Sequence, residues 1–540
     1  MLFLARDNGS TIQSVVESNS GLSADELVKE VRDTYIENLK EGVEFVKKYI
    51  KEHPNATIKI IGDYDTDGIC ATGIMVEAFR LYAKIEVQTR LPKRFSEGYG
   101  LSEKIIDEIE DDDCLIITVD NGIKAINPVK KAKERGMSVL IIDHHLPARL
   151  TIDGITKNIL PDADVIIDPH IDTTSPFKDY CGAALAYRFA RELMPDKKLK
   201  NLLVLASIAT VADVMSLIGA NRTIVKDGLE LINKGFGTPG LKALLKELNL
   251  EEHITESNYG FKIGPTFNAP GRLYDNGASK VLALISARRN DPRISFRAKK
   301  LKDINEKRKE IVKENMLIVN EIPYGRPAVI YEPTIGEGII GIIAGKICEK
   351  EHCPCIVFTD TEDSEIIKGS GRSIEEVHLA NALDSIQDLI VKHGGHAGAA
   401  GLSIKKSNLD KFTKAFTEAV GELPPKSDVV RFDLDLGVSD NFDAVIEELN
   451  KYAPYGEGNP RPVFRMIVDL DTKSFQELGD GTHFSIWEDK HRIKILGFGF
   501  TAKYKELKPK RIQMIGYLSE QFYNDSRTIC FEMKEFEQLK

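Results

Sequence analysis

The chain has 540 residues, which suits two to four domains, and a hydrophobic fraction of 42% is enough to build substantial cores. Its formal charge of −10 argues weakly against a nucleic-acid partner, although local basic surfaces matter more than the total. No apolar run reaches the ~20 residues of a membrane span, and the seven scattered cysteines contain no Cys-x2-Cys pair, so we expect a cytoplasmic protein without a zinc ribbon or a membrane partner.

Residues 57–148 alternate strand and helix. Apolar strands are predicted at 57–61, 114–118 and 138–142, and helices at 70–84 and 123–135. Strands that are apolar on both faces are typical of a parallel sheet covered by helices. Each strand ends in acidic or histidine residues, and active sites of open α/β sheets form at the carboxyl ends of the strands.

The rest of the chain predicts three further parts. Residues 182–235 are helical, and 292–321 form a long charged helix that connects domains. A second α/β stretch follows, with a strand at 328–331, a helix at 341–350 and a strand at 355–358, and prolines near 424 mark its end. Short alternating strands from 429 onward predict a small β-barrel. The fold class is therefore α/β with a C-terminal barrel, and the expected divisions are 1–290, 291–322, 323–425 and 426–540.

Three carboxylates stand at alternate positions in the strand-to-helix turn after the first strand: Asp63, Asp65 and Asp67. Clustered carboxylates repel one another unless cations neutralise them. Oxygen ligands suit Mg²⁺ or Mn²⁺, and the imidazole of His144 favours Mn²⁺. A calcium loop of the EF-hand type is excluded because the twelfth position is Ile74 and a strand precedes the loop.

A solvated turn is the alternative for this acidic cluster, and it weakens because Asp120 and Asp143-His144-His145 end the neighbouring strands. Two metal ions about 3.5–4 Å apart activate water and offset charge on phosphate oxygens. Asp120 is the central candidate for a carboxylate shared by both ions, and His145 is a candidate donor to the phosphate. The catalytic candidates are thus Asp65, Asp120, His144 and His145, and the predicted chemistry is phosphodiester hydrolysis.

The motifs Asp63-Tyr-Asp-Thr-Asp-Gly68, Val119-Asp-Asn-Gly122, Asp143-His-His145 and Val211-Ala-Asp-Val214 resemble the four motifs of the DHH phosphoesterase family. Gly394-Gly-His-Ala-Gly-Ala-Ala-Gly401 resembles the signature of the companion DHHA1 domain. Four more stretches resemble the RecJ single-strand exonuclease branch: 94–101, 268–272, 368–373 and 455–460. The resemblance extends from about residue 50 to 540, and it implies a DHH domain, a connecting helix, a DHHA1 domain and an OB-like barrel.

The resemblance implies two metal ions, Mn²⁺ or Mg²⁺, with the following ligands: Asp63, Asp65 and Asp120 for one ion; Asp67, Asp120, His144 and Asp213 for the other. Many relatives outside the RecJ branch carry a histidine before the first motif, near Ile61 here, and Asp63 would replace it. His145 would contact the scissile phosphate. Arg94, Ser370 and Arg372 would hold a terminal 5′-phosphate, a group that suits guanidinium and hydroxyl donors.

The remaining substrate-binding candidates are Asn268 and Arg272, together with Gly394, Gly395 and His396. Glycines allow backbone N–H groups to approach a phosphate closely; a Gly/Ala-rich helix packed on a sheet is the alternative. The barrel would bind a single strand through a basic groove and stacked aromatic rings, although the barrel core is the commoner location for each of its aromatic side chains.

The implied function is a metal-dependent exonuclease specific for single strands, acting on DNA from 5′ to 3′, releasing nucleoside monophosphates, and serving DNA repair, recombination or replication. RNA as substrate and 3′ to 5′ polarity stay open. A hydrolase of oligoribonucleotides, cyclic dinucleotides or pyrophosphate is an alternative, but such enzymes generally lack the barrel. An inactive binding subunit of a replication complex is the least favoured, because every expected metal ligand is present. The sequence leaves protein partners, oligomeric state and the metal used open.

Overall fold

A computed structural model of the chain describes residues 2–539, except 56, 153–154, 172–173, 426–428 and 524–525. The first elements are β1 (Leu2–Ala5), α1 (Ile12–Ser20), α2 (Ala24–Val28) and α3 (Leu39–Glu52). An alternating region then contains β2 (Thr57–Ile61), α4 (Thr66–Ala83), β3 (Gln88–Arg90), α5 (Glu103–Asp107), β4 (Cys114–Val119), α6 (Ile126–Glu134), β5 (Ser138–Ile142), β6 (Ala148–Ile152), β7 (Ile155–Ile159) and β8 (Val165–Ile167).

A five-stranded sheet in the order β3-β2-β4-β5-β8 organises this region. All four strand pairs are parallel, and every residue of β4 is buried. One core cluster packs α4 and the later helices on one face of the sheet, and a second packs α5 and α6 on the other. Helices on both faces explain why the central strands are continuous apolar runs.

A helical layer follows the sheet. Its elements are α7 (Gly182–Leu193), α8 (Lys200–Ala212), α9 (Gly219–Asn233), α10 (Pro239–Glu247), α11 (Glu256–Asn258), a π-helical turn (Tyr259–Ile263), α12 (Gly264–Leu273) and α13 (Ala278–Ile285). The connecting helix is α14 (Ile294–Asn320), which has no glycine and is 27 residues long. At ~1.5 Å per residue it extends about 40 Å, so it can separate two domains along its length.

The second α/β region contains β9 (Ala328–Tyr331), α15 (Glu337–Glu351), β10 (Cys355–Asp360), β11 (Ile366–Arg372), α16 (Leu379–Asp384), β12 (Ile390–Gly395), β13 (Ala399–Lys405) and α17 (Leu409–Val420). Its sheet order is β12-β13-β11-β10-β9. Helix α15 begins four residues before the predicted start. Gly338 and Gly341 weaken the helical pattern there, and both face tight contacts with Arg272 or Ser370 that leave no room for a side chain.

The last region forms a closed barrel. Its elements are β14 (Val429–Phe432), β15 (Leu434–Asp435), α18 (Phe442–Tyr452), β16 (Phe464–Leu478), β17 (His483–Glu488), β18 (Lys494–Gly497), α19 (Thr501–Leu507), β19 (Arg511–Tyr523) and β20 (Ser526–Gln538). The strands pair in the order β16-β17-β18-β20-β19, and β19 also pairs with β16. This extra pairing removes the free edges of the sheet.

The N-terminal segment, residues 2–28, packs on the barrel rather than on the parallel sheet. Strand β1 pairs in parallel with β14, and Val16 and Leu27 belong to the barrel core. Arg6 forms an ion pair of 3.0 Å with Asp433. The first expected division, 1–290, therefore includes a segment whose contacts lie with the C-terminal region.

The predicted fold class is confirmed: a parallel-sheet domain, a long helix, a second α/β domain and a β-rich C-terminal barrel. The exact divisions at 290/291, 322/323 and 425/426 stay predictions, and Lys426 lies outside the described residues. Among the residues that the structure describes, no helix is long and apolar enough to cross a membrane.

Candidate metal centre

The carboxyl ends of three neighbouring strands bring the predicted ligands together. Asp63 follows β2, Asp120 follows β4, and His144 follows β5 by two residues. Asp120 adopts a left-handed backbone conformation, with φ of 62°, which is uncommon for a residue other than glycine and occurs at functional sites. Asp213 arrives from the helical layer, at the residue after the end of α8.

The turn between β2 and α4 holds its carboxylates by helix capping. The side chain of Asp65 accepts hydrogen bonds from the backbone N–H groups of Asp67 and Gly68, at 3.0 and 3.1 Å, so Asp65 is the N-cap of α4. Asp67 accepts from the N–H groups of Gly182 and Ala183, at 2.6 and 2.8 Å. The N-terminus of α7 therefore fixes the Asp67 carboxylate, as expected for an anion at a helix N-terminus.

Gly182 has a second role at this point. A Cβ atom on Gly182 would lie 2.5 Å from the Cβ of Asp120 and 2.8 Å from its Cα. Any larger residue would push α7 away from both Asp67 and Asp120. The absence of a side chain thus allows the helix to approach two carboxylates at once.

The potential ligand atoms form two groups that lie next to each other. The His144 Nε2 atom lies 3.1 Å from an oxygen of Asp120, and 3.8 Å from oxygens of Asp67 and Asp213. Asp67, His144 and Asp213 have potential ligand atoms within 4.8 Å of one another, and so do Asp63, Asp65 and Asp120. The six predicted ligands are therefore brought together, with Asp120 next to both groups.

The electrostatics of this cluster are those of a cation site. Burial and the charges of the other carboxylates raise the pKa of Asp63, Asp120 and Asp213 well above the usual aspartate range, and also raise that of Asp65. One buried oxygen of Asp63 has no hydrogen-bond partner in the described structure. Bound cations would supply the missing interactions, so the residues fit two divalent ions.

His145 has a potential ligand atom within 4.8 Å of those of Asp120 and His144, but its ring is held by a different carboxylate, Asp143. Its Nδ1 atom lies 2.8 Å from Asp143, and the backbone N–H groups of both histidines also donate to Asp143. Burial raises the pKa of Asp143, but the hydrogen bond and charge of His145 lower it to about 2. Burial lowers the pKa of His145, but Asp143 raises it to about 9. Asp143 thus orients the imidazole of His145 and favours its protonated form.

Tyr99 is a site residue that the sequence interpretation missed. Its hydroxyl donates to the backbone carbonyl of Asp120 at 2.6 Å and lies 3.1 Å from His145 Nδ1. Tyr99 lies inside the predicted 94–101 segment, but its contact with Asp120 depends on the tertiary fold.

A cluster of arginines lies beside the carboxylates. The Arg94 guanidinium stacks 4.6 Å above the ring of Tyr64. Burial lowers the pKa of Arg272 to about 9, and Arg94, Arg372 and Arg308 add to this effect by repulsion. Among the ion pairs of the described residues, none joins these four guanidinium groups to a carboxylate. Uncompensated positive charge of this kind is an anion-binding feature.

Ser370 and Arg372 lie two residues apart on β11, with their side chains 3.3 Å apart. Arg308, on α14, is the member of the cluster that the sequence did not single out. Its half-buried side chain has an Nε atom without a hydrogen-bond partner in the described structure. Burial lowers the pKa of Arg308. The sequence does not distinguish Arg308 from its neighbours, because it is one of ten basic residues between 288 and 310.

The other predicted substrate-binding residues lie in two places. Asn268 contacts the carboxylate turn, where its side-chain oxygen accepts from the Thr66 N–H at 2.9 Å. Gly394 and Gly395 end β12, and the exposed His396 follows in the turn to β13. This segment is therefore an edge hairpin rather than a helix. It neighbours the phosphate-binding candidates, because Ala399 pairs with Arg372 and Gly401 with Ser370.

Comparison with known proteins agrees with this architecture. The DHH family N-terminal domain model matches residues 57–211, the DHHA1 domain model matches 325–422, and the RecJ OB domain model matches 432–535. The single-stranded-DNA-specific exonuclease RecJ of Dickeya dadantii is 34% identical over 458 residues, which cover 78% of this chain and 77% of that protein. The chain belongs to the RecJ family.

Further RecJ proteins are similar to this chain in sequence or in structure. The Bacillus subtilis RecJ is 30% identical over 514 residues, covering 91% of this chain and 62% of that protein. The crystal structure of RecJ from Thermus thermophilus with Mn²⁺ superposes with a TM-score of 0.80 and 23% identity, covering 98% of this chain and 76% of that one. A structure of exonuclease RecJ bound to manganese has a TM-score of 0.60 and 26% identity, covering 72% of this chain and 96% of that one.

Proposed function

We propose that this RecJ family member is a single-strand-specific exonuclease that hydrolyses DNA with two divalent ions. The observation that carries the proposal is the position of the carboxylate cluster beside an arginine cluster without carboxylate partners. Arg94 and Arg272 interact electrostatically with Asp63 or Asp65. A substrate that spans both clusters would place one phosphate at the ions and a second phosphate, near its end, at the arginines. The curated relatives are named single-stranded-DNA-specific exonucleases.

The proposed ligands follow the two groups. One ion would be held by Asp63, Asp65 and Asp120, and the other by Asp67, Asp120, His144 and Asp213. When bound, the ions would activate water and neutralise charge on the phosphate oxygens. RecJ from Thermus thermophilus has been crystallised in complex with Mn²⁺ and with Mg²⁺, and the imidazole in the donor set favours Mn²⁺.

The chain's own residues then bind and orient the strand. Protonated His145, held by Asp143, would donate a hydrogen bond to an oxygen of the scissile phosphate. Arg94, Arg372 and Ser370 would bind the terminal phosphate, and Arg272 and Arg308 would add positive charge. Holding the strand end in this way would fix its distance from the cleavage point, which would favour release of mononucleotides.

The barrel offers an exposed aromatic ring to a single-stranded substrate. Phe498 is half exposed at the end of β18, where a base can stack on its ring. Tyr504 lies in the barrel core and stacks on Phe475, with ring centroids 4.8 Å apart, so it serves packing. A 5′ to 3′ polarity, a role in DNA repair, recombination or replication, protein partners from those processes and a cytoplasmic location remain parts of the proposal.

Digestion of single-stranded DNA and RNA, each labelled at the 5′ or the 3′ end, tests the proposal. With Mn²⁺, we expect 5′-labelled DNA to lose its label first as a mononucleotide, while 3′-labelled DNA shortens gradually. Faster digestion of RNA, or early loss of a 3′ label, would contradict the substrate or the polarity. If no strand is degraded with Mn²⁺ or Mg²⁺, the exonuclease proposal fails.

A further inference from the structure

A loop of the C-terminal domain, residues 455–460, lies against the turn that follows Asp213. The Leu217 N–H donates to the carbonyl of Glu457 at 2.7 Å. A Cβ on Gly456 would come within 2.8 Å of a Leu217 methyl carbon, and a Cβ on Gly458 would overlap the Ser216 hydroxyl oxygen. The loop and the turn are therefore in close contact, with one hydrogen bond and no space for added atoms.

The turn that follows Asp213 has an unfavourable backbone conformation. Val214, next to Asp213, has a φ of 56°, which is an outlier for a β-branched residue. Such conformations persist only where the surrounding structure determines them. Beyond Val214, the Ser216 carbonyl accepts a hydrogen bond from the side chain of Asn221 at 3.1 Å. The 455–460 loop contacts the next residue, Leu217. Both contacts hold the turn on the C-terminal side of Val214.

The loop is firmly attached to both domains. Asn459 is fully buried and donates to the carbonyls of Tyr452 and Pro454, both at 2.9 Å. Arg222, buried on α9 of the first domain, donates to the carbonyls of Lys451 and Ala453, at 3.2 and 2.7 Å. Arg222 thus ties the segment just before the loop to the first domain, and Asn459 ties the loop to that segment.

We infer that the 455–460 loop positions the Asp213 carboxylate, so that the C-terminal domain completes a metal centre otherwise built by the first domain. Asp213 depends on its backbone for placement, because its side chain is 30% exposed while that of Asp120 is 3% exposed. The loop residues act through the turn and are positioning residues. This inference deepens the proposed function and rests on the proposed metal ligands.

The Gly458→Ala variant of the full chain tests the inference. Gly421→Ala is the matched control, since both glycines have a φ of 71°, but a Cβ on Gly421 meets nothing within 4 Å. Ser216→Gly added to Gly458→Ala removes the overlapping hydroxyl and should restore binding. The measurement is a titration with Mn²⁺, in which electron paramagnetic resonance counts the free ion, with unfolding midpoints recorded for every variant.

For Gly458→Ala we expect the affinity for one of the two ions to fall by about 10–100-fold, as for other changes to residues that orient ligands. The affinity for the second ion, and the affinity for a single strand in EDTA, should equal those of the wild type. The control should bind both ions normally. Wild-type Mn²⁺ affinity in Gly458→Ala would overturn the inference, as would an equal loss in Gly421→Ala.

If Gly458→Ala does not fold, Gly456→Val decides, because that position has no left-handed strain and its new side chain presses on Leu217. Weakened binding of one ion supports the inference, and unchanged binding of both ions overturns it. Neither result depends on hydrolysis. A wild-type protein that binds two ions but degrades no strand would refute the proposed function and leave this test intact.

Discussion

The Asp120→Asn variant separates two effects of the shared carboxylate. Without metal, Asp120 is buried among other carboxylates and its pKa is raised by burial and by their charges. Removing the charge while keeping the shape should therefore stabilise the metal-free protein. With Mn²⁺ present, the same change removes a ligand of both ions, so it should reduce the stabilisation that the metal provides and abolish hydrolysis.

The structure sets the size of the first effect. Ligand atoms of Asp63, Asp65 and Asp120 lie within 4.8 Å of one another. Two unit charges at that distance repel by about 3.5 kcal/mol at an effective dielectric constant of ~20. Protonation relieves part of this repulsion, so we expect the metal-free variant to gain about 1–3 kcal/mol. At a Mn²⁺ concentration of ~100 times Kd, each occupied site stabilises the wild type by about 2.7 kcal/mol, and the variant should lose most of this.

Urea unfolding in EDTA and in Mn²⁺, followed by circular dichroism, measures both effects in the same protein. Asp196→Asn is the control, since Asp196 is exposed and lies between the end of α7 and the start of α8, at the ends of these helices opposite Gly182 and Asp213, and it should leave both unfolding midpoints unchanged. An Asp120→Asn variant that is less stable than the wild type in EDTA would refute the electrostatic reasoning. Equal stabilisation of both proteins by Mn²⁺ would refute the assignment of Asp120 as a ligand.

Three further changes test other parts of the structure. Arg308→Met should remove a phosphate-facing charge and reduce the preference for 5′-phosphorylated over 5′-hydroxyl strands by about 10-fold, the effect of one ~1.4 kcal/mol contact, measured from initial rates on the two substrates. Phe498→Ala should weaken single-strand binding by about 1–3 kcal/mol if a base stacks on the ring, measured by fluorescence anisotropy in EDTA, and unchanged affinity would place the strand elsewhere. Arg222→Met should remove two charge-assisted hydrogen bonds to the carbonyls of Lys451 and Ala453 and lower the free energy of unfolding by about 2–5 kcal/mol, measured as a shift of the urea midpoint without Mn²⁺.

Three of the five strands of the parallel sheet could be predicted closely from the sequence, whereas the three-residue strands β3 and β8 were not predicted. The bounds of β2 and β5 match the expected 57–61 and 138–142, and β4 is one residue longer than expected, because short apolar runs rich in β-branched residues fit strands better than helices. Helix α4 begins four residues before the predicted start. Its first turn contains Asp67 and is capped by Asp65, so residues that signal metal chemistry also begin the helix.

The supporting residues of the site could not be predicted in the same way. Asp67 and Gly182 are 115 residues apart, and no local pattern links a helix N-terminus to a carboxylate at that separation. Tyr99 and Arg308 are likewise defined by where the folded chain places them. Periodicity reports which face of an element is buried, whereas these contacts depend on how separate elements meet.

The pairing of β1 with β14 has a consequence for synthesis of the chain. Arg6 and its partner Asp433 are 427 residues apart, so at about 5–20 residues per second the ribosome needs roughly 20–90 s to produce the partner. During that interval the apolar residues of the N-terminal segment, Val16 and Leu27 among them, have no barrel core to enter. The N-terminal segment thus reaches its native contacts long after it has been synthesised, and chaperones would find its apolar residues exposed during that interval.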